Sequence, residues 1–263
     1  MPAVDKTRVS AAFDRAAPDY DGIARFQHTV CDSLMRLLPV FAPDMPAPGR
    51  VLDGGCGTGY GAALLSRRWP QSRITGCDLS LEMLRLARGK SIDTVCADLE
   101  QLPFHDGAFD FVWSSLALQW CATPDVYAGI YRILAEDGAL LFSTLGPGTL
   151  AELDYAFSAI DAHPHVRAFS TPEETRMALE QAGFSDIRIE CETRRIYFPD
   201  FRSFLTSVRG IGANQVGGKR RRALMGKHAW KLAEERYETL RGENGMLPAT
   251  YELVFGHARR TTY

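Results

Sequence analysis

Seven consecutive residues, Asp53-Gly54-Gly55-Cys56-Gly57-Thr58-Gly59, carry the strongest chemical signal in this chain. Gly55, Gly57 and Gly59 alternate with side-chain-bearing residues, and without Cβ atoms the backbone there can turn tightly and approach a nucleotide-like ligand. The D-x-G-x-G-x-G spacing differs from the G-x-G-x-x-G of dinucleotide sites, because the third glycine comes one residue early and an acid precedes the first. A carboxylate beside a pyrophosphate is repulsive, so Asp53 is expected to face a positive or hydroxyl-bearing group. Asp78, 19 residues after Gly59, can accept both hydroxyls of an adenosine ribose. In Ala97-Asp98-Leu99 the acid can take an adenine amino group while the leucine packs on the ring. Acids often cap the helix that follows a strand. Three such acids together with the glycine loop are better explained by a shared ligand.

These residues need strand ends and helix starts to hold them. RVLDGG reads as a strand, GYGAALLSRRW as a helix, RITGCD as a strand and SLEMLRLARG as a helix, followed by strands in IDTVCAD, FDFVWSS and GALLFSTL. Strand and helix alternating at this spacing predicts a parallel sheet with helices on both faces. Residues 5–38 read as mostly helical, and PVFAPDMPAPG as a proline-rich connector into the first strand. Thr171-Pro172-Glu173-Glu174 offers a cap, a helix-starting proline and a capping-box acid, predicting a helix to Ala182 closed by Gly183. IRIECETRRIYF and ATYELVFGHARR alternate as strands. The roughly 50 residues between them read as helices broken by Gly210, Gly212, Gly217 and Gly218, a candidate lid.

The chain has 263 residues, 46% hydrophobic and 24% charged, which predicts a folded protein with a sizeable core. Residues 194–236 hold 11 Lys and Arg against 3 acids, so a stretch at +8 stands against a remainder at −10. That asymmetry argues against general nucleic-acid binding and leaves room for one basic surface meeting an acidic partner. Six cysteines without a C-x-x-C pair predict buried free thiols in a reducing compartment. With no signal-peptide core and no bilayer-length apolar run, the cytoplasm is expected. His105, His163 and His165 lack the companions of a metal site, and no metal is expected.

VLDGGCGTG, GCDLS, ADLEQLPF, FDFVWSSLALQW and LAEDGALLFSTL resemble the successive motifs of class I S-adenosylmethionine-dependent methyltransferases. The resemblance implies a Rossmann-like α/β fold whose seven-stranded sheet has the order 3-2-1-4-5-7-6, with the seventh strand antiparallel. Carried over by motif, Gly55, Gly57 and Gly59 line the methionine portion. Asp78 holds the ribose, Asp98 and Leu99 hold the adenine, Leu79 is counted among the cofactor residues, and Ser114 borders the methyl group. The flanks AAFDRAAPDYDGIARFQ, SSLALQW, SVRGIGAN and MLPATYELVFGHARR are similar to the malonyl-acyl-carrier-protein O-methyltransferases of biotin synthesis. This implies methyl esterification of the free carboxylate of a malonyl thioester, with S-adenosylhomocysteine as the second product. Gly54-Gly55 departs from many class I members, which carry a bulkier residue first.

The residues fit that chemistry. A malonyl carboxyl, with a pKa near 4, is an anion at neutral pH and needs no general base, only alignment and exclusion of water. No Cys-Pro-Pro-Cys or Asn-Pro-Pro-Tyr segment of the base-methylating kind is present. An N-terminal helical cover is expected over 1–45, a methyltransferase core over 46–198 and 248–263, and a helical insertion, lid and carrier platform, over 199–247. Tyr20 and Arg25 of the cover are assigned to the cofactor, with Gln119 and Trp120 closing the adenosine side. Tyr20, Arg209 and Tyr251 are assigned to substrate positioning, Arg209 because a guanidinium fork binds a carboxylate. Lys219, Arg220, Arg221 and Arg222 are assigned to docking an acidic acyl carrier protein, with neither nucleic acid nor membrane as a partner. Two other readings stand beside this one: a methyltransferase of a free small carboxylic acid of the trans-aconitate type, and a non-catalytic partner subunit of the same fold.

Overall fold

A computed structural model describes residues 5–90, 92–122, 125–160, 164–210 and 227–261. Seven strands form one sheet: β1 (Arg50–Gly54), β2 (Arg73–Asp78), β3 (Asp93–Cys96), β4 (Phe109–Ser115), β5 (Leu134–Leu145), β6 (Ser185–Phe198) and β7 (Leu247–Arg259). Their spatial order is β3-β2-β1-β4-β5-β7-β6, with β7 antiparallel to both neighbours and the remaining pairs parallel. The order expected from the class I resemblance is therefore the observed one. Chain direction reverses its progress across the sheet at β1, so the β1–β4 boundary opens a crevice at the carboxyl ends of the strands.

Ten α-helices flank the sheet among the described residues. They are α1 (Lys6–Ala16), α2 (Tyr20–Ile23), α3 (Arg25–Phe41), α4 (Tyr60–Arg68), α5 (Leu81–Arg88), α6 (Asp125–Ile133), α7 (Ala151–Phe157), α8 (Pro172–Gln181), α9 (Phe201–Gly210) and α10 (Lys227–Glu238). The central strands alternate between two apolar layers. Val51, Phe111, Trp113 and Leu141 pack with Val30, Leu34 and Leu38 of α3. Leu52, Val112, Leu140 and Phe142 pack with Val126, Ile130 and Ile133 of α6 and Leu179 of α8. Both faces being covered explains why these strands read as nearly continuous apolar runs.

Helix α8 starts as its sequence predicts. Thr171 caps it, accepting from Glu174 N–H at 3.1 Å, while the Glu174 carboxylate accepts from Thr171 N–H at 2.8 Å. Two departures concern the helices. Pro39 lies inside α3 near its end, not in a connector, since a proline there removes a single helical hydrogen bond. Helices α6 and α7 went unassigned by the alternation pattern; α6 is rich in β-branched and aromatic residues, and its helical spacing of Val126, Ile130 and Ile133 is set by packing on β5. The expected excursion contains α9 and α10, whose Phe201, Phe204, Val208, Ala233 and Tyr237 join the first apolar layer. Gly210 ends α9, while Gly212, Gly217 and Gly218 lie outside the described residues. The six cysteines are free, but Cys96 and Cys191 are exposed. No helix among the described residues is long and apolar enough to cross a membrane.

Candidate active site

The crevice at the β1–β4 boundary holds a cleft enclosing about 690 Å³ of atom-free space, partly open to solvent. Its floor is the loop after β1, where Gly55 and Gly57 have φ of +75° and +52°. At Gly55 an added Cβ would collide with Ala117, whereas at Gly57 it would meet open space. The first glycine therefore closes the packing between two strand ends, and the second bares the backbone to the cleft.

Asp78 forms the adjacent wall at the end of β2. Its carboxylate accepts from Gly57 N–H at 2.9 Å and from Ser80 N–H at 2.8 Å, which fixes the glycine loop to the second strand. Burial raises the Asp78 pKa, opposed by those backbone donors. One donor per oxygen leaves each carboxylate oxygen able to accept another hydrogen bond. Leu79, Met83, Ala97, Asp98 and Leu99 continue the wall. Asp98 accepts from Glu100 N–H at 3.0 Å and pairs with Lys6 at 2.9 Å.

The roof is the N-terminal segment. Lys6 also reaches Glu100 at 2.8 Å, Ser10 Oγ donates to Leu79 O at 3.1 Å, and Asp14 accepts from Ser80 Oγ at 2.5 Å. Thr58 Oγ1 donates to Asp21 at 2.5 Å beside the glycine loop. Phe13, Tyr20 and Trp120 complete an aromatic wall, with Phe13 edge-on to Tyr20 at 6.3 Å and to Trp120 at 5.9 Å. Among the described residues, Asp98, Glu100 and Cys121 are near enough to one another to share a metal ion. The Lys6 ammonium lies among them; burial works against its charge, yet Cys121, Glu100 and Asp98 outweigh burial and raise its pKa.

Several residues assigned from the sequence lie elsewhere. Asp53 does not line the cleft: it is 2% exposed behind the loop, turned toward Gly61, where an added Cβ would sit 2.9 Å from its Oδ2. Ser114 donates from Oγ to Gly54 O at 2.8 Å and is buried; its neighbour Ser115 lines the cleft, because adjacent strand residues point to opposite faces. Arg25 is exposed, and Gln27, on the opposite side of the same helix, faces the cleft. Gln119 donates to Leu116 O at 2.7 Å and borders a separate small cavity with Phe169 and Ser170. Tyr251 is 1% exposed, packed at a tilt against Phe26 with ring centroids 4.4 Å apart, and belongs to the core. Gly59, with φ +85°, is the N-cap of α4 and packs on Ala87 without lining the cleft. Arg209 stands near the end of α9, and neither its side chain nor any of Lys219, Arg220, Arg221 and Arg222 is among the described residues. Sequence reasoning missed Lys6, Phe13, Gln27, Met83 and Cys121. Phe13 and Gln27 lie within the flank AAFDRAAPDYDGIARFQ, and no local signal marked Lys6, Met83 or Cys121.

Asp53 supplies a pH signature. Burial, reinforced by Asp78 and opposed by the Ala62 N–H, pushes its carboxyl up to about 7. Unfolded, the group titrates near 3.9. Between those values the folded state binds the extra proton, so this group's contribution to stability falls as pH rises from about 4 to about 7, then levels. The drop has an upper bound of roughly 4 kcal/mol. Asp53→Asn should remove it. Denaturant unfolding of both proteins from pH 4 to 8 should give a stability difference that shifts progressively in the variant's favour, and parallel curves would refute the buried-carboxyl account.

The Methyltransferase domain family matches residues 52–142. A malonyl-acyl-carrier-protein O-methyltransferase from Herminiimonas arsenicoxydans is 48% identical over 99% of this chain and 98% of its own. The biotin biosynthesis bifunctional protein BioHC of Cellvibrio japonicus is 35% identical over 96% of this chain and 50% of its own. Among solved structures, a Haemonchus contortus phosphoethanolamine N-methyltransferase 2 in complex with S-adenosyl-L-methionine superimposes with a TM-score of 0.60. It shares 20% identity over 95% of this chain and 57% of its own, and so speaks for the fold. With the glycine loop, the acids at the strand ends and full-length identity in agreement, the chain belongs to the malonyl-acyl-carrier-protein O-methyltransferase family.

Proposed function

We propose that this protein transfers the methyl group of S-adenosylmethionine to the free carboxylate of a malonyl group held as a thioester on an acyl carrier protein. The products are the malonyl methyl ester and S-adenosylhomocysteine, at an early step of biotin synthesis. The observation that carries this reading is the convergence of Gly55, Gly57, Asp78, Asp98 and Leu99 on one cleft beneath the Phe13, Tyr20 and Trp120 wall. Gly55, Gly57, Asp78, Asp98 and Leu99 would hold S-adenosylmethionine there, which would supply an electrophilic sulfonium methyl to the carboxylate oxygen, the carbon–sulfur electron pair leaving with sulfur.

The chain's own residues then have defined tasks. Asp78 offers acceptor capacity to ribose hydroxyls. Leu99 and Leu79 give an apolar seat to the adenine, and Asp98 accepts from its amino group. Gly57 leaves the methionine portion room against bare backbone. Tyr20 and Phe13 exclude water above the reacting atoms, which raises the reactivity of the carboxylate while the charges on the two reactants cancel. No group has to remove a proton, because the acceptor is already ionised.

Incubating the protein with methyl-labelled cofactor and malonyl carrier protein, malonyl coenzyme A, free malonate or trans-aconitate tests the reading. Ester formation on the malonyl thioesters is expected, and methylation confined to the free acids would replace it with the small-acid alternative. The run Lys219, Arg220, Arg221, Arg222 supports docking of an acidic carrier, since complementary charge steers association. Replacing Arg220, Arg221 and Arg222 by Ser should raise KM for malonyl carrier protein and flatten its salt dependence. KM for malonyl coenzyme A should move less, and equal changes on both thioesters would exclude docking through this run.

A further inference from the structure

Arg167 is 7% exposed, and its Nε and Nη1 have no hydrogen-bond partner. Each of these nitrogens belongs to a different edge of the guanidinium, so both edges keep unclaimed donors. An arginine does not escape such a position by losing its proton. Two of its nitrogens buried without partners destabilise the fold, and an arriving anion would relieve that.

The surroundings say where that anion comes from. The guanidinium carbon stands 5.9 Å from the centroid of Trp120, whose ring forms part of the cleft wall. Val166, the preceding residue, is anchored in the first apolar layer, and Phe169 and Ser170 border the small cavity near Thr144 and Leu145 at the end of β5. The segment therefore crosses the carboxyl ends of β4 and β5, next to the seat proposed for the cofactor. The nearby acids do not satisfy Arg167. Glu100 is bound to Lys6 at 2.8 Å and to Ala122 N–H at 2.6 Å, and Asp98 is bound to Lys6 at 2.9 Å. Burial lowers the Arg167 pKa, with Cys121 and Glu100 opposing.

We propose that Arg167 is the residue that receives the carboxylate of the acyl acceptor, holding it beside Trp120, whose ring lines the cleft. The inference rests on the function proposed above and names the group that selects its substrate. A guanidinium can grip one carboxylate oxygen or both, and the Trp120 face fixes its plane. Methyl transfer converts the anion to a neutral ester, and the ester loses the charge that held it. Arg167 would thus favour substrate over product, and a free carboxylate over an acyl chain that lacks one.

The test uses Arg167→Met, which keeps the stem and deletes the charge, and Arg167→Lys, which keeps a point charge. Expected for Arg167→Met is a KM raised about 10- to 100-fold for malonyl carrier protein. The same rise is expected for the malonyl thioester of N-acetylcysteamine, which has no phosphate. Affinity for S-adenosylhomocysteine should stay within about twofold of wild type, and the melting temperature should hold or rise, because a buried unpaired charge has gone. Arg167→Lys should fall between. A loss confined to the phosphate-bearing thioester would assign Arg167 to the carrier's prosthetic arm and overturn the proposal. An unchanged KM, or a parallel fall in melting temperature and cofactor affinity, would overturn it too. Calorimetric binding of the N-acetylcysteamine thioester to the S-adenosylhomocysteine complex reads Arg167 even where no methyl is transferred. It thereby separates failure of this assignment from failure of the proposed reaction.

Discussion

Asp78→Ala is expected to weaken binding of S-adenosylhomocysteine by roughly two to four orders of magnitude. Two hydrogen bonds from ribose hydroxyls to an ion contribute about 1.5 to 3 kcal/mol each, and their sum spans that range. The loss has a second source. The same carboxylate accepts from Gly57 N–H and Ser80 N–H, so its removal leaves two backbone donors unpaired and frees the loop that must approach the ligand. A pair of measurements separates the sources. Calorimetry with an S-adenosylhomocysteine analogue lacking both ribose hydroxyls should show a large loss on wild type and little further loss on the variant. If the analogue and the parent compound lose equally on both proteins, Asp78 shapes the loop and does not touch the ribose. Unchanged affinity in Asp78→Ala would remove both roles.

Gly55→Ala should damage the fold itself. The new methyl would be driven into Ala117, and the backbone at φ +75° lies in the left-handed region that a Cβ disfavours. The conformational strain costs about 1–2 kcal/mol and the overpacking about 1–3 kcal/mol. Together they are a large part of a typical domain's stability. The expected result is a melting temperature lowered by about 4–15 °C and cofactor affinity reduced with it. Adding Ala117→Gly relieves the collision and leaves the backbone strain. The double variant should therefore recover part of the loss, and a non-additive cycle is the expected signature of contact between the two positions. A Gly55→Ala protein as stable as wild type would mean that the β1 loop can move away from Ala117, contrary to the tight contact between the two positions.

The order of the strands from residue 50 to 145, with helices α4 and α5 between them, was legible because buried parallel strands are short apolar runs and their βα turns are marked by glycine or an acid; α6 was not. The capping box of α8 was legible because it is written within four residues. Gly55, Gly57, Asp78, Asp98 and Leu99 could be grouped from the sequence, and they line one cleft. Their placement follows from lying at the ends of neighbouring strands, whatever the rest of the chain does.

Which member of an adjacent pair enters the cleft was not written locally. Ser114 and Ser115 are equivalent by composition. The fold separates them by tying Ser114 to Gly54 O and breaking the alternation at Leu116, whose φ is +51°. Arg25 was assigned to the cofactor, yet the rotation of α3 about its axis, set by Val30, Leu34 and Leu38 in the core, turns Gln27 inward instead. Tyr251 has the residue type of a substrate contact, but β7 lies deep in the sheet between β5 and β6, so its side chain meets Phe26 in the core. Lys6 and Arg167 show the same limit most plainly. Lys6 meets Asp98 across 92 positions of sequence, and Arg167 meets Trp120 from the far side of α6, β5 and α7. The sequence by itself determined the strand-end chemistry, because local backbone geometry and short-range patterning dictate it. Only the tertiary structure decided what closes over that chemistry and which charges are left unpaired, because both depend on the long-range packing of helices on a completed sheet.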